Sequence, residues 1–589
     1  MTEQLRSADV LVIGAGFAGL WAAYRAVELG ASVILVEKGF VSRAGASVIS
    51  GGVTTYPRDD DDLDEWVREV TVHGGYMNDQ IWTRRAFEGQ VERIKDFIDW
   101  DIPITRDENG EIKRIASRGM FNVRALQYRP KVAVDELTRR IVEAGVQIVN
   151  RVAISELLTS DGALPTKGQV IGAVGLDVRS GDACIFSAKR VILSTGLMAT
   201  KGVHKVDNDC GDGAAMAYRA GARLIDLEFS FGGTYDIVMG QFNFGSYNVA
   251  VGNGARLINR LGERFMERYD PERLERSEQS TYVGAFVQEI RQGRGPVKID
   301  LRDMDPLYWD ALRTTQIKNI LVSDLVPDPK TTPLLIEPYW GIWNGGHGGI
   351  DIDYECRSSI PGLYAAGSAA KVYPAGLHGS AGLPTGFAMT SGYVAGESAA
   401  REALDNDAVD EERAKAVARD FFARSQEAMA TVPSPVTPDM LHDKIVSLES
   451  SVMDTMILND EKLGRWIDTI DEVLADTERC KVDSAHELSK LEEARSLAQC
   501  MKLIYVAARN RTESRGHFYR EDYPVTEDPD WLCWHAVERQ EAGPVAFKKP
   551  IPFDDYAIKP PPPVDTTSQL ARIFRGDFEP VTSKSMAPS

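Results

Sequence analysis

Apolar residues along this chain fall into two rhythms, short solid runs and stripes at helical spacing. The run Val10–Ile13 is apolar without alternation, as a parallel strand buried on both faces requires. A glycine-rich turn follows, then a stretch of helical spacing, then a second apolar run that ends on Glu37 and Lys38. Helical periodicity predicts helices around Glu65–His73, over Asp79–Trp100 and over Val132–Ala144, the last leading into a strand Val146–Val152. Gln169–Val178 and Ala183–Ser187 alternate as a β-meander, and Arg190–Ser194 reads as a buried strand stopped by Thr195-Gly196. In Ser484–Arg509 the residues Leu488, Leu491, Ala494, Ala498, Met501 and Tyr505 share one helical face, a core-packing stripe. Phe40–Tyr56 is rich in Gly, Ser and Ala, a loop whose backbone lies against something flat, and the acidic run Asp59–Asp62 is a solvated loop or helix start.

The first of these units carries chemistry. Gly14 allows a tight turn, Gly16 lets backbone approach a pyrophosphate, and Gly19 lets helix and strand pack closely. Phe17 and Ala18 open the helix, whose unpaired N–H groups face a diphosphate. Glu37 closes the second strand, where a carboxylate can accept both hydroxyls of an adenosine ribose. Strand, helix, second strand and terminal acid in register make this a dinucleotide-binding βαβ unit.

Composition narrows the class. A chain of 589 residues exceeds one core and predicts two to four domains. The formal net charge of −20 argues against nucleic acid as a partner. No apolar run approaches the roughly 20 residues that span a bilayer, and Met1–Ala8 is too polar for a signal peptide. The six cysteines are scattered without a Cys-x-x-Cys pair, which predicts reduced thiols of a cytoplasmic protein, no metal site and no iron–sulfur centre within this chain.

Four stretches then point to a family: the N-terminal fingerprint, Gly211–Ala222, Leu261–Tyr269 and Glu513–Pro524, together with Gly362-Leu-Tyr-Ala-Ala-Gly367. In that order they resemble the flavoprotein subunits of the succinate dehydrogenase and fumarate reductase superfamily over about residues 8–540. The resemblance implies an α/β fold: a Rossmann-like FAD-binding domain with an inserted α+β cap and a C-terminal helical domain. The expected division is 1–225 and 345–405 for the two parts of the FAD-binding domain, 226–344 for the capping, substrate-side domain, 406–540 for the helical domain and 541–589 for an extended tail. Implied FAD contacts are Gly14, Gly16, Phe17, Ala18, Gly19, Glu37, Lys38, Ala44, Gly45, Ala46, Ser47, Gly51, Gly52, Val152, Ser194, Thr195, Gly196, Asp212, Gly367, Ser368, Leu383 and Thr385. The segment Gly382-Leu-Pro-Thr-Gly386 opens a helix whose N-terminal dipole would lie near the flavin C2=O, as in the family. Ser368 stands where the family usually has an acid that holds the ribityl chain.

Departures from the family pattern shape the function. Gly45 occupies the position of the flavin-linking histidine, so FAD is expected without a covalent bond. The two histidines and two arginines that clamp dicarboxylates fall at Gly233, Asn344, Val251 and Gly382. Two carboxylates cannot be desolvated without such partners, which makes C4 dicarboxylates improbable substrates. Candidate substrate-side groups are instead Tyr339, Trp340, Trp343, Asn344, His347, Lys201, His204, Tyr235, Arg256 and Tyr373–His378, with His347, His378, Arg256, Asn344 and Trp343 singled out for catalysis. A histidine beside the flavin can exchange the proton that accompanies hydride transfer. Arg43–Tyr56, Trp100–Gly110 and Val170–Gly175 look more like the flavoprotein chain of adenylylsulfate reductase. The favoured expectation is an FAD-dependent oxidoreductase acting on another small organic substrate. Its electrons are exchanged with a ferredoxin-like iron–sulfur subunit in a hetero-oligomer, with the tail from about Pro550 to Ser589 lying across that partner. Alternatives are adenylylsulfate chemistry and an electron-transfer module whose substrate site has decayed.

Overall fold

The computed structural model describes residues 3–116, 119–200, 209–238, 242–243, 250–251, 254–304, 327–342, 347–377, 382–405, 408–430, 434–449, 451–562 and 567–577. At its centre is a seven-stranded sheet in the order Gln147–Asn150, Val33–Glu37, Glu3–Ile13, Ala183–Leu193, Val170–Asp177, Val152–Thr159, with Leu363–Ala365 also pairing Ala183–Leu193. The strands from Gln147–Asn150 to Ala183–Leu193 and the Leu363–Ala365 strand run parallel, while the last two form an antiparallel meander. Val10, Leu11 and Val12 are fully buried, as a sheet covered on both faces demands.

Two details differ from the periodicity. The expected strand Val146–Val152 is broken at Arg151, whose φ of 62° is left-handed, so Gln147–Asn150 pairs on one edge and Val152–Thr159 starts the opposite edge. Ala183–Ser187 and Arg190–Ser194 are one strand, because Ala183 to Leu193 run alongside Glu3 to Ile13 in a single register.

Helix Phe17–Glu28 covers one face of the sheet and is crossed by helix Leu383–Leu404. The crossing is tight enough that a Cβ on Gly392 would sit 2.7 Å from the Cα of Ala18, and one on Gly396 2.8 Å from that of Ala22. A second, three-stranded sheet of Val53–Thr55, Arg124–Gln127 and Arg114–Ala116 follows directly from the glycine loop. The inserted region forms a five-stranded antiparallel sheet in the order Phe242–Asn243, Phe231–Val238, Leu334–Ile342, Val297–Asp300, Arg256–Ile258, backed by helix Gln279–Arg291.

Beyond residue 405 the chain is mostly helical, and Asp460–Arg479 packs along Ala485–Asn510. Helix Glu411–Ala428 instead lies on the meander of the central sheet, where Arg424 pairs with Glu156 at 2.6 Å and Arg413 Nε donates to the Ser160 carbonyl at 2.8 Å. The segment expected as an extended tail is built into the molecule as far as it is described. Gly543–Lys549 pairs with Trp534–Gln540 in a sheet that also holds Leu224–Ile225 and Gly349–Ile350. Lys549 reaches Asp351 at 2.8 Å, and helix Gln569–Arg575 packs on Gln279–Arg291. The Gln80 side chain brackets Ile558, donating to its carbonyl at 2.6 Å and accepting from its N–H at 3.1 Å. The described residues between 541 and 577 therefore pack on this chain itself, where the prolines had suggested an extended tail lying across a partner.

Candidate functional site

The glycine fingerprint builds one end of a cleft at the carboxyl ends of the parallel strands. Gly14 has φ +97°, and a Cβ there would lie 2.5 Å from the Ser194 carbonyl oxygen. Only glycine permits both the conformation and the approach. Gly16 precedes helix Phe17–Glu28, and the Phe17 N–H donates to Ser47 Oγ at 2.9 Å. Glu37 accepts from the N–H groups of Ala15 and Gly39 at 2.9 and 2.8 Å, so its carboxylate is already oriented by backbone. Lys38 is committed to Asp212 at 2.7 Å and Glu493 at 2.9 Å. Burial opposes its charge, but Asp212, Cys210 and Glu493 outweigh burial and hold the ammonium well above the usual lysine value. Lys38 and Asp212 thus act as a fixed pair on the cleft wall.

Sixteen of the expected FAD contacts line this cleft: Gly14, Gly16, Phe17, Ala18, Glu37, Lys38, Gly45, Ala46, Ser47, Val152, Ser194, Thr195, Gly196, Asp212, Gly367 and Ser368. Six do not. Gly19 is a packing contact, since a Cβ there would lie 3.0 Å from the Gly14 carbonyl carbon. Gly52 (φ +64°) turns the loop against Tyr128, and Gly51 accepts from Gln127 at 3.1 Å. Ala44, Leu383 and Thr385 sit beyond the lined region, Leu383 buried in the first turn of its helix. Among the residues the structure adds are Ile154, Leu197, Asp209 and Met216. Asp209 carries no sequence signal of its own, since nothing but burial separates it from a solvated acid.

An adenine dinucleotide fits these residues. Gly45 has φ +85° and a Cβ there would meet nothing within 4 Å, so the loop keeps open space on the cleft side. Gly367 (φ +63°) brings backbone so close to the first helix that its Cβ would lie 2.8 Å from that of Ala18. The helix Leu383–Leu404 supplies an N-terminus free of any side-chain cap.

On the substrate side the described residues are fewer. Trp343, Asn344, His378, Lys201 and His204 lie outside them, as do the side chains of Tyr235 and Tyr339. His347 is buried, and its Nδ1 lies 2.9 Å from the Gly376 carbonyl. A carbonyl only accepts, so the proton facing it sits on Nδ1. His517, which sequence reasoning did not single out, packs its ring 4.9 Å from that of His347, and Trp340 stands 6.3 Å from His517. Its Nε2 bonds the Phe229 carbonyl at 3.0 Å.

Arg256 is not part of this group. Its side chain is half exposed on the edge strand of the inserted sheet and pairs with Asp303 at 3.2 Å.

Of the four positions expected to match the family's dicarboxylate clamp, Asn344 lies outside the described residues and the other three carry no charge. Gly233 lies in a strand opposite Trp340, its carbonyl facing the Gln279 side chain, and Val251 is buried. Gly382 has φ +86°, and a Cβ there would lie 2.5 Å from the Cα of Thr54. Nearby, Glu449 is buried, accepts from Thr200 Oγ1 at 2.9 Å and the Ile342 N–H at 3.1 Å, and is pushed up to about 7 by burial.

Comparison with known proteins agrees with this geometry. A family model described as an FAD binding domain matches residues 9–385, and one described as the fumarate reductase flavoprotein C-terminus matches residues 452–567. The chain is 27% identical to the first subunit of the CoM/CoB fumarate reductase of Methanothermobacter marburgensis, over 90% of this chain and 97% of that one. It is 26% identical to the succinate dehydrogenase flavoprotein subunit of Rickettsia conorii, over 94% and 97%. Among solved structures, a mutant FrdA chain of E. coli quinol fumarate reductase superposes with a TM-score of 0.83 at 20% identity, covering 95% of this chain and 99% of that one. Adenylylsulfate reductase from Archaeoglobus fulgidus gives 0.75 at 20% identity, covering 93% and 96%.

Proposed function

Taking as premise that this chain is an FAD-dependent oxidoreductase belonging to the fumarate reductase and succinate dehydrogenase flavoprotein family, we propose that it acts on a small organic substrate other than a C4 dicarboxylate. The observation that carries this reading is Gly382: an arginine cannot stand there, because the position is left-handed and its Cβ would collide with Thr54 backbone. Gly233 and Val251 leave two further clamp positions without charge. Desolvating two carboxylates with no cation facing them costs several kcal/mol each.

FAD supplies two-electron exchange at its ring when bound. The chain's own residues orient it through the Gly14–Ala18 turn and Glu37, exclude water with the inserted sheet, and place His347 where a buried imidazole can hold or give a proton at Nε2. With glycine at position 45 the cofactor is held noncovalently.

The other electron exchanger is an iron–sulfur protein. Relatives named as subunits support this, as does the lack of any Cys-x-x-Cys pair here. A groove lined by Arg58, Arg106, Lys113, Arg114 and Arg124, with Asp107 and Glu108 beside them, adds a cationic face to an otherwise acidic chain. It sits on the three-stranded sheet that leaves the Gly51-Gly52 loop, and suits an acidic, ferredoxin-like protein. The six cysteines, all buried and none joined in a disulfide, suit a reducing compartment such as cytoplasm.

The test is steady-state assay with succinate plus dye, and reoxidation of the reduced protein by fumarate. Neither is expected to proceed. A rate on the order of 10 s⁻¹, ordinary for enzymes, would overturn the reading.

A further inference from the structure

Asp209 lines the cleft on the side of Glu37 and Lys38, yet no role for it follows from the fingerprint. It is 5% exposed, and its Oδ2 has no hydrogen-bond partner among the described residues. The other oxygen is pressed against the turn at Gly196, where a Cβ would lie 2.9 Å from the carboxyl carbon. Only a residue without a Cβ leaves the carboxyl room there. The charged groups facing it are Glu37, Lys38 and Asp212, with the Cys210 thiol next in the chain. The cation of this set, Lys38, is already claimed by Asp212 and Glu493. Burial pushes the Asp209 carboxyl up to about 7, against the opposing N–H of Leu197 and the charge of Lys38. A bound dinucleotide adds two negative phosphates to the same cleft and removes the remaining water.

An ionised Asp209 would then be an unpaired buried anion beside another anion, the arrangement proteins avoid by keeping the acid neutral. We propose that Asp209 holds FAD as a neutral carboxylic acid, its Oδ2–H donating a hydrogen bond to an acceptor atom of the adenosine diphosphate half, so that FAD and one proton bind together. At alkaline pH the proton must be taken from solvent when FAD binds and is returned when FAD leaves. The inference rests on noncovalent binding, whose own failure shows separately in denaturing electrophoresis as flavin fluorescence that stays on the protein band.

The experiment dilutes the holoprotein at pH 6 to 9 and follows FAD release by its fluorescence. For the wild type, the FAD dissociation constant rises about tenfold per pH unit once Asp209 titrates, the slope of a single linked proton. Asp209→Asn keeps the shape and a donor but cannot ionise. It should bind within about threefold of wild type at pH 6 and show a flat profile up to pH 9. Asp209→Ala should bind FAD about tenfold more weakly at pH 6, the loss of one buried hydrogen bond. Release of FAD into weakly buffered solution at pH 8.5 should free close to one proton per flavin in the wild type and none in Asp209→Asn. A flat wild-type profile overturns the proposal without any variant. A slope that survives in Asp209→Asn, or wild-type affinity in Asp209→Ala at pH 6, overturns it as well.

Discussion

Two single residues set expectations that can be measured directly. Glu449 has a native carboxyl near 7 against an ordinary 4.5, because burial disfavours the ion. The native state thus keeps a proton that the unfolded chain gives up, so its stabilising contribution is complete below pH 4.5 and is lost as pH rises to 7. In Glu449→Gln that loss is absent: the melting temperature should fall less between pH 5 and 8 than in the wild type, and exceed it by about 2 °C at pH 8. Equal pH slopes would show that the carboxyl is not carrying a proton. His347→Gln keeps a donor for the Gly376 carbonyl but removes the imidazole. A normal flavin absorption spectrum with turnover lowered about 100-fold is expected, the lower end for lost acid–base help. Wild-type turnover would move the proton to another group.

What was legible at this scale follows a physical divide. Gly14, Gly16 and Glu37 announce themselves, since backbone conformation and strand-end position restrict the residue type. Glu449, Asp209 and His517 do not, because only tertiary burial makes an acid or imidazole unusual.

At the level of elements, solid apolar runs and helical stripes located the strand expected over Val10–Ile13, found as Glu3–Ile13, the strand Val33–Glu37, and the helix expected over Asp79–Trp100, found as Gln80–Asp99. Pairing partners were not legible. Nothing in Val146–Val152 reveals that a left-handed Arg151 sends its halves to opposite edges, and nothing in the proline-bearing terminus reveals that Gln80 holds Ile558. Gln80→Ala removes both bonds and leaves the Ile558 N–H and carbonyl unpaired in a buried setting, a destabilisation of about 2 kcal/mol for the local segment. Limited proteolysis should then cut between residues 551 and 562 several-fold faster, with the flavin spectrum unchanged. Unaltered cleavage would mean that Lys549 and the helix Gln569–Arg575 suffice to hold this stretch.

For the molecule as a whole, the resemblance in the sequence anticipated the architecture: central parallel sheet, inserted sheet and trailing helices. It did not anticipate that helix Glu411–Ala428 would cover the meander, because an amphipathic stripe does not name the surface it meets. Two outcomes belong at this scale. Acid or heat precipitation should release all the yellow colour to the supernatant, as noncovalent FAD requires; flavin left on the pellet would contradict Gly45 as a bystander. Reduction by a purified acidic ferredoxin should slow about tenfold between 20 and 300 mM salt, because screening weakens its attraction to the cationic groove. Reduction by the methyl viologen radical, a small monocation that the groove does not attract, should slow far less. Replacing Arg106 and Lys113 by glutamate should slow the ferredoxin alone. Equal slowing of both donors by salt would remove the groove from the electron path.

The glycine contacts between helices Phe17–Glu28 and Leu383–Leu404 reach further than packing. One helix begins at the glycine turn that lines the cleft and the other begins beyond that lining, and they touch main chain to main chain at Gly392 and Gly396. The span between those two beginnings is thereby gauged by backbone alone, with no rotamer to relax and no methylene to compress. The fold works as a caliper whose opening is set by main chain and not by the side chains around it.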